Sequence, residues 1–275
     1  MTAVINTNVA SLNAQRNLNT SQSSLATSIQ RLSSGLRVNS AKDDAAGLAI
    51  SERMNAQIKG MNVAQRNASD AISLSQTAEG ALASVGDALQ RMRELAVQSV
   101  NATNGVTDRA NLDAEFQQLN KEVTRVLTGT KYNGTDLLST AATLTFQVGA
   151  NNVATDQIDV ATTVLTTGAG MALVTAGDVN TVATAKSAMD NLDTAINEIT
   201  TARSTFGSVQ NRFSSVISNL QIASENESAA RGRIVDADFA AETANMTRGQ
   251  ILQQAGTAML AQANALPNSV LQLLK

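Results

Sequence analysis

Histidine, cysteine and tryptophan are all absent from this chain of 275 residues. Without imidazole and thiol it lacks the commonest general base, the soft nucleophile and the usual nitrogen and sulfur metal ligands. No disulfide can form, so packing alone must hold the fold; the lack of cysteine does not by itself assign a compartment. Aromatic residues make up 2% of the chain. Compact cores draw on aromatic bulk, whereas thin seams of Ala, Leu, Val and Ile between helices do not need it. The charge is nearly balanced at −3. Lys and Arg are scattered singly, with no basic block and no aromatic interleaving, which argues against nucleic-acid binding. No apolar run reaches the length of a bilayer span, so no membrane partner is expected. Met1 to Thr20 has neither a basic n-region nor a continuous apolar segment nor a cleavage site. It does not read as an ordinary signal peptide, and an exported chain would use another route.

What the chain does have is helical periodicity over long distances. Val182, Ala185, Met189, Leu192, Ile196, Ile199, Arg203 and Phe206 follow at alternating steps of three and four. After one double step of three, Val209, Phe213, Val216, Leu220 and Ala223 resume the rhythm. Only Arg203 interrupts the apolar run. At about 1.5 Å per residue this keeps one helix face towards a partner for roughly 60 Å. Such a helix needs another rod beside it. A second stripe supplies one: Met54, Ile58, Met61, Ala68, Ile72, Leu82, Val85, Leu89, Met92 and Ala96. A shorter helix follows at Leu112, Phe116, Leu119, Val123 and Val126, with Asp108 or Asn111 as N-cap.

The two ends are helical as well. At the N-terminus Ile5, Val9 and Leu12 lie on one face, and Leu18, Leu25, Ile29, Leu32 and Leu36 follow, mostly at three and four. Gly35 punctuates that pattern. Ser, Thr and Asn fill the rest of this helix, so it is weak alone and forms when its apolar face is covered. From Asp236 to Lys275 a broad stripe contains Ile251, Leu252, Ala255, Met259, Ala263, Leu266, Val270 and Leu274. Pro267, the single proline, should kink or break that helix. The simplest arrangement pairs the two apolar terminal faces with each other. Their stripes are too wide for one pairing, and the surplus implies packing between copies of the chain through Ile5, Val9, Leu12, Leu25, Ile29, Leu32, Leu252, Met259, Leu266 and Val270. In the middle, Thr143–Val148 and Gln157–Val160 alternate polar and apolar and form a small hairpin joined around Gly149. Thr166 to Gly177 reads as an exposed connector. The fold class is mainly α, with long antiparallel helical rods, paired terminal helices and one small β element.

Three stretches carry a family resemblance. Leu32-Ser-Ser-Gly-Leu-Arg-Val-Asn-Ser-Ala-Lys-Asp-Asp-Ala-Ala-Gly, Gln90-Arg-Met-Arg-Glu-Leu-Ala-Val-Gln and Gln250-Ile-Leu-Gln-Gln-Ala-Gly-Thr-Ala-Met-Leu-Ala-Gln-Ala-Asn occur in this order, and all three resemble bacterial flagellin. The resemblance implies a homopolymeric filament subunit for swimming motility. Its inner core domain would comprise residues 1–42 and 236–275, and its helical rod domain residues 43–235. Thr140 to Gly177 is too short for variable outer domains, so the chain resembles a minimal form. Further implications are an extracellular place in the flagellum, export by the flagellar type III-like apparatus without a cleaved signal, and an export chaperone on Ile251 to Leu274. Hook-associated and cap proteins are implied partners. So is a Toll-like innate immune receptor, whose contact positions match at Arg91, Leu95 and Glu115.

Plainer readings apply elsewhere. Asp43-Asp44 and Asp236, Asp238 and Glu242 read as helix caps and salt bridges rather than a metal or acid–base site. Gly168-Ala-Gly170 lacks the third glycine and the lysine of a phosphate loop and reads as a flexible connector. The methionines read as seam filler. No catalytic group, cofactor or metal is expected. The alternatives are a hook–filament junction protein, which shares terminal helices, and a chemoreceptor-like signalling stalk, which would need a membrane span.

Overall fold

The computed structural model describes residues 7–272, with side chains as far as residue 265. The chain divides into two units, a terminal one (Met1–Ala56 with Asn226–Lys275) and a central one (Gln57–Glu225). Six α-helices lie among the described residues, with two small antiparallel sheets.

In the terminal unit, α1 (Val9–Ser34) starts at Asn8, whose side-chain oxygen accepts from the Ser11 N–H at 3.1 Å. It stops at Gly35, which adopts φ 71° and donates its N–H to the Arg31 carbonyl at 2.8 Å. A side chain at this left-handed position would be strained, so glycine ends the helix cleanly. α6 (Phe239–Gln272) is capped by Asp238, which accepts from Ala240 and Ala241 N–H groups at 2.9 and 3.2 Å. The link from α1 to α2 (Ala45–Val100) is a built turn. The Asp43 carboxylate accepts from Asn39 N, Ser40 N and the Ser40 hydroxyl. These bonds, the Ser40 hydroxyl first, hold its pKa below the usual carboxylate value. Asp44 accepts from Gly47 N at 2.8 Å in the first turn of α2. Leu36, read from sequence as the last position of the first stripe, has left the helix and bridges Asp236 in antiparallel fashion.

The pairing of α1 with α6 is antiparallel, and it corrects the expected seam. Leu25 meets Gly249 and Leu18 meets Gly256, where an added Cβ would lie 3.2 and 3.1 Å from leucine carbons. The covered positions of α6 are Glu242, Met246, Gly249, Gln253, Gly256, Leu260 and Ala263, a mixed stripe whose glycines face leucines of α1. Small residues let two helices approach closely enough for dense contact. The more apolar neighbouring stripe, with Ile251, Leu252 and Met259, is turned to solvent. Pro267 does not end α6, which continues to Gln272.

In the central unit, α2 and α5 (Val182–Val235) run antiparallel. Arg93 pairs with Asp193 at 2.6 and 3.2 Å, whereas Gln210 reaches back to Glu79 at 2.9 Å. The Arg93 guanidinium, chiefly by hydrogen bonding, pulls the Asp193 carboxyl below its ordinary pKa. Along α2, Met61, Ala64, Ala68, Ala71, Ser75, Ala78, Leu82, Val85, Leu89, Met92, Ala96 and Ser99 are buried in unbroken steps of three and four. Along α5 the buried series is Ala185, Ala188, Leu192, Ala195, Ile199, Ala202 and Phe206. The period matches the expectation but half of the phase does not. Ala188, Ala195 and Ala202 take the inner positions, while Met189 and Ile196 flank the seam and Arg203 is exposed, 3.9 Å from Glu79. Arg203 therefore does not break the core row.

α3 (Val106–Gly129) buries Phe116, Asn120, Val123 and Leu127. It begins earlier than expected, at N-cap Gly105; Asp108 sits in the first turn and accepts from Gly105 N at 2.9 Å. Strands β1 (Lys131–Tyr132) and β2 (Thr135–Asp136) flank a tight turn at Asn133-Gly134. Strands β3 (Thr143–Gln147) and β4 (Gln157–Ala161) form the expected hairpin, with Leu144 opposite Val160 and Phe146 opposite Ile158. The segment expected as an exposed connector instead contains α4 (Ala169–Thr175), with Gly170, Met171 and Val174 buried. Gly170 is no flexible hinge: a Cβ there would lie 2.5 Å from the Ala195 nitrogen. Glu198 accepts from Gly170 N at 2.9 Å, and Asn120 donates to the Thr175 carbonyl at 3.0 Å. Two apolar contacts and two side-chain caps from neighbouring helices hold a helix too short to persist alone.

Candidate functional site

Two surfaces gather the residues singled out from the sequence. On the terminal pair, Leu25 and Leu32 are partly covered, whereas Val9, Leu12, Ile29, Leu252 and Met259 are exposed. Val9 and Met259 each keep 64% of their surface in solvent, and Ile251 60%. Phe239 is also exposed; as a lone aromatic before the apolar stripe of α6 it gave no periodic signal. Ile5 lies outside the described residues, as do the side chains of Leu266 and Val270. Pairing of α1 with α6 thus leaves large apolar side chains uncovered on both helices. Single exposed apolar residues are ordinary on a protein surface.

The same unit has a polar groove of about 500 Å³ between the helices. Thr20, Ser24, Arg31, Glu242 and Arg248 are among its lining residues. Glu242 is buried, and the Arg31 Nε, shielded from solvent, has no hydrogen-bond partner. Nothing in the spacing of these residues announced the groove, because Arg31 and Glu242 are brought together only by the pairing.

The second surface lies on the central unit. Arg91 Nε and Nη2 donate to Glu115 Oε1 at 3.0 and 2.9 Å, and Nη1 donates to Glu94 Oε2 at 2.9 Å. The two carboxylates, Glu94 first, raise the pKa of the guanidinium above its ordinary value. All three side chains remain about half exposed or more, so the cluster offers a charged, ordered patch across α2 and α3. Glu94 was not singled out from the sequence; its spacing of three from Arg91 was the available signal. Leu95 does not share that face. Only 1% of it is exposed, and it packs into the core beneath. Four residues along a helix rotate through about 400°, so Arg91 and Leu95 diverge by about 40°, enough at a seam edge to put one side chain in and the other out.

The model of the bacterial flagellin N-terminal helical region matches residues 5–143, and that of the C-terminal helical region matches residues 189–274. The flagellin of Halalkalibacterium halodurans is 48% identical over 273 residues, covering 99% of this chain and all of that protein. The flagellin of Bacillus subtilis is 40% identical over 304 residues, covering 98% of this chain and 99% of its own. Among solved structures, Bacillus cereus flagellin aligns with a TM-score of 0.50 at 34% identity, over 56% of this chain and 88% of its own. Full-length likeness at these identities, together with both terminal helical regions, places the chain in the bacterial flagellin family.

Proposed function

We propose that this flagellin polymerises by burying the exposed rows of α1 and α6 against other copies of itself. As a flagellin it is a structural subunit of the extracellular flagellar filament; the proposal names the residues that build the contact. One observation carries it. The terminal helices pair through a stripe that mixes small, polar and apolar residues, and Val9, Leu12, Ile29, Ile251, Leu252 and Met259 stay exposed. Covering each such side chain is worth on the order of 1–2 kcal/mol by area, and a helical polymer repeats that gain at every subunit. The expected effect of Ile251→Asp is loss of filament growth while the subunit keeps its helical circular dichroism, since Ile251 is already solvated there. Normal filaments from the Ile251→Asp chain in pelleting assays and electron micrographs would refute the assignment.

The finer partners follow from the same surfaces. An export chaperone would cover Ile251 to Leu274 before secretion, since an uncovered row would aggregate or polymerise early; the unpolymerised chain would leave by the flagellar type III-like route. Hook-associated and cap proteins would meet the same terminal helices at the ends of the polymer. The Arg91, Glu94 and Glu115 cluster fits recognition by a Toll-like receptor, with Leu95 supporting the patch from beneath. Arg91→Ala should lower receptor activation by roughly tenfold or more, as for a charged anchor at an interface centre, and leave polymerisation intact. A reporter-cell titration that shows equal potency for both chains would remove this reading.

A further inference from the structure

Pro267 lies within α6 and has no N–H to give to the carbonyl four residues earlier, that of Ala263. An orphaned carbonyl at a buried residue costs free energy unless another donor reaches it. Asn8 supplies one: its Nδ2 donates to the Ala263 carbonyl at 2.7 Å. The oxygen of the same side chain accepts from Ser11 N at 3.1 Å and caps α1. One residue further along α6, the Asn264 Oδ1 accepts from the Ser11 hydroxyl at 2.7 Å. A single asparagine thus closes the first turn of one terminal helix and substitutes for the missing donor of the other.

At the other end of the pair the Leu36–Asp236 bridge and the bond from Ala237 N to the Gly35 carbonyl, 2.9 Å, tie the segments just outside the helices; between that end and Asn8 the leucine–glycine contacts repeat. Leu25 on Gly249 and Leu18 on Gly256 are apolar contacts spaced one heptad apart on each helix. A slide by one heptad would set Leu18 against Gly249 and keep the same kind of contact. A proline-freed carbonyl occurs once, because the chain has a single proline. We propose that Asn8 and Pro267 act together as a register lock at the end of the α1–α6 pair remote from the Leu36–Asp236 bridge, and so hold the exposed apolar side chains there in the one phase that polymerises. This rests on the reading of the terminal pair as the assembly element.

The test is a double-mutant cycle on the full chain, read as the critical concentration for polymerisation. Asn8→Ser retains a good N-cap acceptor but is too short to reach Ala263. Alone it should raise the critical concentration about fivefold to tenfold, the range expected for one hydrogen bond lost from a buried carbonyl. Pro267→Ala restores an N–H for Ala263 within the helix. In that background Asn8→Ser should change the critical concentration less than twofold. An equal rise in both backgrounds, or no rise in either, would overturn the lock. If Asn8→Ser fails to polymerise at all, rescue by Pro267→Ala supports the lock and lack of rescue overturns it. Failure of the underlying reading is distinguishable, since a chain lacking residues 240–275 would then still form filaments.

Discussion

Removal of residues 240–275 should abolish filament formation and leave a chain whose central helices persist. The deletion takes away nearly all of α6 and with it the exposed row of Ile251, Leu252 and Met259. It also strips α1 of its partner. That helix is rich in Ser, Thr and Asn, residues with weak helix propensity, so its order depends on tertiary packing of its apolar face. Both assembly rows are therefore lost by one cut. The central unit has its own core, built from α2, α3, α4, α5 and the β3–β4 hairpin, and should keep its cooperative unfolding. Pelleting yield should fall from near complete to background, with helical content reduced by about the share of the two terminal helices. Long filaments from the truncated chain would mean that the polymer contact lies elsewhere.

The second large effect concerns the core of the central unit. Phe213 is fully buried on α5 and meets Phe146 of β3 edge to face, with ring centroids 5.6 Å apart. In a chain with so few aromatics this pair does the anchoring of the hairpin to the long helix. Phe213→Ala removes the largest transferable side chain at that point and leaves a cavity that two rigid elements close poorly. The expected cost is about 3–5 kcal/mol in denaturant unfolding, of which roughly 0.5–1.5 kcal/mol belongs to the aromatic geometry. Phe213→Leu should recover more than half. A cost for Phe213→Ala below about 1 kcal/mol, within the range of ordinary surface changes, would show that the hairpin is not held there.

The two surfaces differ in how readily the chain discloses them. Arg91 and Glu115 were found through a resemblance of motif, and the fold then joined them with bonds of 2.9 to 3.0 Å. Leu95 carried the same resemblance but went to the core. Glu94 lies beside Arg91 in sequence and completes the cluster. A motif preserves residue types in order; it does not say which of two side chains one turn apart crosses the edge of a seam.

Periodicity, turn residues and composition determined the helical class, the long seam of α2, the β3–β4 hairpin, the stop at Gly35 and the capping role of Asp44 and Asp238. These are local matters, decided within a turn or two of chain. Tertiary structure decided which stripe of each helix faces inward. On α5 Met189 and Ile196 suggested one phase, and close packing of Ala188, Ala195 and Ala202 set another. On α6 Gly249 and Gly256 won the seam over Ile251 and Met259. Helix α4 and the bond from Asn8 to Ala263 were hidden for the same cause. Close approach between two surfaces rewards fit as well as hydrophobicity, and fit is a property of the pair, absent from either stretch of sequence alone.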